Sequence, residues 1–402
     1  MDTSHLSARQ AAELLGVSLP TLYSYVSRGL LHSQSLAGQR TKTYAREDVL
    51  RLQVRNSDSR RAGAAAESAI AWGVPVLESR ISLVADGQLY YRGKSIRELA
   101  KTLSLEETAL TLWDRDSSNV FTSTSLPDTG KTWWQLLNGS TDLSPLARAM
   151  SILPVLENVV KSDVEHDDYS KATIWMRYLA AALLAIPPAH QSLHQQLAVC
   201  WQVDQHTAEI IRAALVVCAD HELNVSTFTV RCVASTGAHL GMALCAGLGA
   251  LSGPKHGGES LRVSRFIRHG LQEHSAHLPQ YLNQCLQTHQ VRDNFSPKLP
   301  GFGHPLYPGG DPRGEILMQL LDKEKHAELF RFASLAEEMT GEILNIDFGL
   351  VALEIAYGLP AGAAQILFAL GRSAGWIAHA LEQISDGELI RPRARYVGKF
   401  PY

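Results

Sequence analysis

The chain has 402 residues, of which 45% are apolar and 19% charged, and its formal charge is −3. That length supports a large core and more than one domain, and the near-neutral balance excludes a chain that is basic or strongly acidic throughout. The charge is unevenly spread, however: residues 1–62 carry nine Lys and Arg against five Asp and Glu, as expected of a separate N-terminal module.

In that module Ser7 is placed to cap a helix over ARQAAELL, with Gly16 ending it; Ser18 then caps a second helix from Leu19 to about Arg28, closed by Gly29. Ala12, Leu15, Val17, Leu22, Val26 and Leu30 supply a miniature core. The polar stretch SQSLAGQRTKTY around Gly38 suits a wing, and AREDVLRL suits a third helix. Residues 1–53 therefore read as a small winged helix-turn-helix. Residues 54–68, RNSDSRRAGAAAESA, have no apolar period and read as a linker, leaving 69–402 as the main domain.

Beyond the linker, RISLVADGQLYYRG at 80–93 places Asp86-Gly87 between two alternating runs, a hairpin signal. The rest is helical by period, over 95–115, 145–161, 171–186, 206–218, 225–250, 314–340, 349–357 and 361–384. The fold class is thus mainly α with one hairpin. Cys200, Cys218, Cys232, Cys245 and Cys285 form no CxxC pair and read as small buried thiols. The start MDTSHLSARQ lacks a signal pattern, and the most apolar stretch, 178–186, is too short to span a bilayer, so a cytoplasmic protein is expected.

Polar segments interrupt the helical run at the points where chemistry is expected. In ADHELN, His221 and Asn224 read as one helical turn apart, able to face one ligand or to make an ordinary structural contact. This is not the zinc-protease HExxH, because Val225 stands where the second His is required. His256 in GPKHGGES lies on a glycine-rich loop that lets backbone approach a ligand, or merely joins helices; the GK[ST] ending of a phosphate loop is absent. His304 in GFGHPLYPGGDPR is on a loop too rich in Gly and Pro to be helix core. The Asp311-Pro312 turn that follows presents Arg313 either to a carboxylate or to solvent. Asp347 in NIDFG is a candidate base made more basic by burial, or a helix N-cap. Arg372 interrupts an apolar helix and needs an anionic partner, and Arg391 in LIRPRARYVG completes the cationic set.

Taken together, in order over roughly residues 70–402, these segments resemble the active site of the citrate synthase family. The resemblance implies a large helical domain with a small helical subdomain inserted at roughly 258–358. It also implies condensation of acetyl-CoA with oxaloacetate, followed by hydrolysis of the citryl thioester. Asp347 matches the base, His256 the enol-stabilising donor and His304 the acid that polarises oxaloacetate. His221, Asn224, Arg313 and Arg372 fall at or beside the oxaloacetate-binding positions. Arg391 matches the residue that reaches into a neighbouring subunit, which implies a homodimer or larger assembly. No metal and no permanently bound cofactor is implied.

Two positions depart from the family pattern. HGGES stands where HGGAN is common, and Pro308 stands where a basic residue is common near the coenzyme A phosphates. The acyl donor is therefore open between acetyl-CoA and propionyl-CoA, a difference of one methylene. Residues 5–53 resemble the DNA-binding domain of the MerR and excisionase type, with Arg28, Arg40 and Lys42 as candidate phosphate contacts. That leaves a third reading, a metabolite-sensing regulator that binds duplex DNA.

Overall fold

Ser7 opens the first helix as the sequence requires. Its hydroxyl accepts from Gln10 N while its own N–H reaches Gln10 Oε1, a reciprocal capping box on Ala8–Leu14. The computed structural model describes residues 5–27, 30–35, 42–50, 52, 77–115, 120–162, 167–288 and 299–392, in two units, Met1–Glu78 and Ser79–Tyr402.

In the first unit Gly16, at φ +63°, turns the chain into the helix Leu19–Ser27, and Ser18 caps that helix through Thr21 N. The strands His5–Ser7 and Ser33–Ser35 flank Lys42–Ala45 on either side, both antiparallel, and residues 46–50 are helical. Ala11, Ala12, Leu15, Leu22, Leu31, Tyr44 and Val49 form the core of this winged helix-turn-helix. Leu30, expected inside, is 39% exposed and Leu31 takes its place. The closing Gly29, the wing tip at Gly38, Arg28, Arg40 and the linker 54–68 lie outside the described residues. Lys42 is exposed on its strand.

The second unit begins with the expected hairpin. Ser82–Ala85 pairs with Gln88–Tyr91 across Asp86 and Gly87, both at positive φ, and a two-residue strand, Lys94–Ser95, extends the sheet. The rest is helical. Three runs that look continuous by period are interrupted. The first, 95–115, becomes Ile96–Thr102 and Leu105–Leu112, separated where Ser104 and Glu107 form a capping box. The second, 225–250, breaks at Gly237, φ +78°, into Val225–Ala234 and Leu240–Leu251. The third, 314–340, becomes Pro312–Gln319 and Ala327–Thr340. Gly130–Gly139, Leu193–Trp201, Glu259–Gln272 and Leu278–Thr288 add helices to those expected.

The C-terminal helix Ala363–Asp386 runs through the core and is buried on nearly every side, as a helix apolar all round must be. Two glycines let its neighbour come close. A Cβ added at Gly371 would lie 2.7 Å from Leu215 O, and one at Gly375 would lie 2.4 Å from Ala219 O. The C-terminal end of the helix Gln205–Cys218 and the segment after it are thereby pressed against Arg372. All five cysteines are free; Cys218 is buried, but the other four are partly exposed, so the expectation of uniformly buried thiols fails. Among the described residues no helix is long and apolar enough to cross a membrane.

Candidate active site

Three stitched segments bring the polar residues together. The loop carrying His304 is laced to the chain before Asp347: Gly303 N donates to Ile343 O, Asn345 N to Gly301 O, and Asn345 Nδ2 to Gly303 O. Asn345 also caps the helix Ile346–Ala356 by accepting from Asp347 N and Phe348 N. The cap is therefore Asn345, and the Asp347 carboxylate is released from that duty. The segment 219–222 is held by the hairpin, with Ser82 Oγ bonded to Asp220 Oδ2 and Tyr91 Oη to the Asp220 backbone.

His221 and His304 meet edge to face, ring centres 5.1 Å apart, with Tyr307 Oη 2.9 Å from His221 Nε2. His304 Nδ1 accepts from Leu306 N at 3.2 Å, so in the neutral ring the proton sits on Nε2. His256 Nε2 lies 2.8 Å from Ser226 Oγ, which also accepts from Trp376 Nε1 at 3.1 Å and lies 2.8 Å from Asn224 Oδ1. A Trp indole can only donate, and a hydroxyl has one hydrogen to give. When that hydrogen points at Asn224, His256 carries its proton on Nε2; when it turns to His256, the imidazole proton moves to Nδ1, freeing a donor for a ligand.

Asn224 is not on a shared helical face with His221. His221 lies in the connection after Gln205–Cys218, and Asn224 is the N-cap of Val225–Ala234, its Oδ1 accepting from Thr227 N at 3.0 Å. Its amide supports the site through Ser226 and reaches the His221 carbonyl from Nδ2 at 3.4 Å, so the two residues are neighbours through this cap and not through one helical face. Arg313 is not on the surface either. It is 2% exposed and clasped by Asp311 through Nε at 2.9 Å and Nη2 at 2.8 Å, while Asp311 Oδ2 also accepts from Ile346 N. Arg391 is exposed beyond the last helix.

The remaining charges are unbalanced. Arg372 is fully buried, its Nε donating to Cys218 O at 2.8 Å, yet Nη1 and Nη2 have no partner among the described residues. Asp347 Oδ1 is likewise buried without a partner. Burial, reinforced by the charge of Glu259, raises the Asp347 carboxyl to about 7. Burial, with Arg372 and Arg313 nearby, lowers His256 to about 3; burial and Arg313 lower His304 to about 4; His221 falls well below 6.5 for the same reasons. At neutral pH the three imidazoles are uncharged donors or acceptors. Burial alone would lower Arg313, but Asp311 beside it keeps it firmly charged.

The arrangement offers a weakly acidic carboxylate, three neutral imidazoles and two buried guanidiniums around one region. It can accept a proton from carbon, donate to a developing oxyanion and bind a small polycarboxylate. Ser226, Trp376 and Tyr307 are supporting residues that the sequence reading passes over, and Asp311, read there as the start of a turn, is also the partner that clasps Arg313. Only Asp311 left a signal, as the Asp-Pro-Arg start of a helix with Pro at its first turn.

A family model described as "Citrate synthase, C-terminal domain" matches residues 70–393, and one described as "Helix-turn-helix domain" matches residues 6–56. A citrate synthase of Haloferax volcanii is 29% identical over 367 residues, covering 81% of this chain and 94% of its own. "Putative citrate synthase 2" of Mycobacterium tuberculosis is 35% identical over 214 residues, covering 50% of this chain and 55% of its own. Among solved structures, a citrate synthase from Thermotoga maritima aligns over 82% of this chain and 95% of its own, at TM-score 0.67 and 26% identity. The fold is shared at TM-score 0.67 and 22% identity with the Thermoplasma acidophilum enzyme, solved as a ternary complex with carboxymethyl coenzyme A and oxaloacetate; that alignment covers 83% of this chain and 97% of the other.

Proposed function

The chain belongs to the citrate synthase family, and on that premise we propose that it condenses acetyl-CoA with oxaloacetate and hydrolyses the citryl thioester to citrate and CoA. The observation that carries this reading is a pair of buried, oppositely charged groups left without partners, Arg372 Nη1 and Nη2 on one side and Asp347 Oδ1 on the other. A buried charge without a partner is costly, so such a pair calls for a ligand that is anionic at one end and offers a proton at the other.

In this reading Asp347 removes a methyl proton from the acetyl thioester. Its carboxyl, raised to about 7, is a far stronger base than an exposed aspartate and is still ionised in a large fraction at neutral pH. As the C–H bond breaks, negative charge moves to the thioester oxygen, where His256 donates from Nδ1. That requires the Ser226 hydroxyl to face His256 Nε2. The enol carbon then attacks the ketone carbon of oxaloacetate, and His304 donates its Nε2 proton to the oxygen that becomes the citryl hydroxyl. Arg372, Arg313 and His221 hold the two carboxylates of oxaloacetate. Water finally cleaves the thioester and releases CoA.

Propionyl-CoA, giving 2-methylcitrate, is the alternative donor, and Glu259 and Pro308 are the positions where the acyl and coenzyme subsites differ from the family pattern. The assembly we propose is a homodimer or larger, with Arg391 completing a neighbouring site. Thiol release is the test: wild-type protein is expected to free CoA from acetyl-CoA or propionyl-CoA only when oxaloacetate is present, and Asp347→Ala to abolish it. No release from either donor overturns the reading.

A second reading rests on the helix-turn-helix match at residues 6–56: the N-terminal unit binds duplex DNA and the oligomer presents it in pairs. Lys42, exposed on the wing strand, together with Arg28 and Arg40, would contact phosphates. Retention of genomic fragments that weakens with salt and with substitution of these three residues supports it; no salt-sensitive retention sinks it.

A further inference from the structure

We propose that His269, Glu273 and His274 form a binding site for a divalent first-row transition ion, with Zn²⁺ the best fit to the donor set. Two imidazoles and one carboxylate are a borderline N,N,O set of the kind such ions prefer over Mg²⁺ or Ca²⁺. Their ligand atoms all lie within 4.8 Å of one another. His269 and Glu273 are one helical turn apart at the end of Glu259–Gln272, with His269 Nδ1 3.2 Å from Glu273 Oε2. Two ligands on a tetrahedral ion with bonds of about 2.1 Å stand roughly 3.4 Å apart, so this pair is already spaced for a shared ion.

His274 follows directly after the helix cap, its ring centre 4.8 Å from that of His269. It is stacked on Tyr281 at 4.8 Å and 11° between planes, and Tyr281 also meets His269 edge-on at 5.4 Å. Tyr281 is itself fixed, buried and donating to Phe266 O at 2.9 Å. Both imidazoles are therefore held close together by one anchored ring before any ion arrives, which reduces the entropy cost of binding. The Glu273 side chain is 65% exposed and can swing to close the longer separation.

The site is separate from the one already described. Glu259, beside His256, begins the helix that His269 nearly ends, and ten residues of helix span about 15 Å. An ion there ties the last turn of Glu259–Gln272 to the connection that follows it, whose His274 stacks on Tyr281 of the helix Leu278–Thr288. Three protein ligands leave at least one position for water, so the site is open rather than a closed structural cage.

The test is equilibrium dialysis of the tag-free full chain against Zn²⁺ after chelator treatment, with Co²⁺ absorption reporting coordination. One ion per chain is expected at micromolar free Zn²⁺, lost in the His269→Ala/His274→Ala double variant and weakened by roughly 10-fold or more in Glu273→Gln. Zn²⁺ should raise the melting temperature of wild type and not of the double variant. Equal binding by wild type and double variant, or no saturable binding by wild type, overturns the proposal. His269 and Glu273 are exposed and His274 is half-buried against Tyr281, so a cooperative melt and a thiol-release rate unchanged from wild type in chelator verify that the variants fold.

Discussion

Replacing Arg372 by Met separates ligand recognition from stability, because the two are expected to move in opposite directions. Arg372 makes one hydrogen bond, from Nε to Cys218 O, and leaves Nη1 and Nη2 unpartnered. If those two groups hold an oxaloacetate carboxylate, the variant forfeits two charge-assisted hydrogen bonds worth about 1.5–3 kcal/mol each. The sum, about 3–6 kcal/mol, lowers kcat/KM for oxaloacetate on the order of 10²- to 10⁴-fold. The ligand-free fold loses the bond to Cys218 O, roughly 1 kcal/mol, and the guanidinium's contact with the Phe368 ring 4.8 Å away, about as much again. It sheds a buried guanidinium whose terminal nitrogens are unmatched, and burial already lowers that group's pKa. Met fills most of the same volume, so the ligand-free variant should melt at or above the wild-type temperature. Thermal melts with and without oxaloacetate, beside initial-rate kinetics, read both quantities; oxaloacetate should raise the wild-type melting temperature and leave the variant unmoved. A variant with wild-type KM for oxaloacetate, or one that melts many degrees lower without ligand, would refute the reasoning by making Arg372 a structural tie.

Four further outcomes follow from the same geometry. With Asp347 titrating at about 7, kcat/KM should climb with pH to a plateau above that value and fall about tenfold per pH unit below it; a limb near 4 excludes Asp347 as the base. Between its ordinary 3.8 and about 7 the folded chain holds the Asp347 proton more tightly than the unfolded chain, so this group's contribution to stability falls as pH rises through that window. Asp347→Asn should therefore gain up to about 4 kcal/mol over wild type at pH 8 relative to its gain at pH 4, by denaturant titration. Glu259→Gln removes a charge that raises Asp347, so it should move the acid limb of the rate profile to lower pH; an unmoved limb means the two carboxylates do not interact. Ser226→Ala leaves His256 without its 2.8 Å partner and should lower kcat about tenfold or more while KM for oxaloacetate stays unchanged; a change in KM alone would assign Ser226 to ligand binding.

Much of the site was legible because function forced local exceptions on an otherwise regular helical sequence. His256 and His304 stand among glycines and prolines clustered densely enough to disfavour a helix, and Asp347 and Arg372 are charges inside apolar runs. The partners of those residues were not legible. Ser226 is an ordinary first-turn serine of Val225–Ala234, and Trp376 an ordinary buried aromatic; only the crossing of two helices places them on one hydroxyl. Asn224 misled because i, i+3 spacing signifies a shared face only inside a helix, and the helix starts one residue later. The broken runs had local signals of their own. The Ser104-to-Glu107 capping box and Gly237 each mark a stop that apolar period alone passes over.

Two buried groups of opposite charge, both unsatisfied, would ordinarily be expected to pair. Asp347 and Arg372 do not, and the fold spends much of its local structure on holding them in place separately. Asn345 takes over the helix cap and ties the Asp347 turn to the His304 loop, while Gly371 and Gly375 press Arg372 against the Cys218 carbonyl. Direct contact would stabilise the ligand-free chain, but it would pull the Asp347 carboxyl back towards or below 3.8 and so remove its strength as a base. The same contact would occupy the two guanidinium nitrogens left for a carboxylate. Arg313 illustrates the alternative: clasped by Asp311 through two of its five N–H groups, it is charged and fixed, and its remaining donors are held in position for an anion. Keeping Asp347 unpaired and Arg313 paired thus assigns the two kinds of work, proton abstraction and anion positioning, to residues whose electrostatic surroundings differ in the required sense.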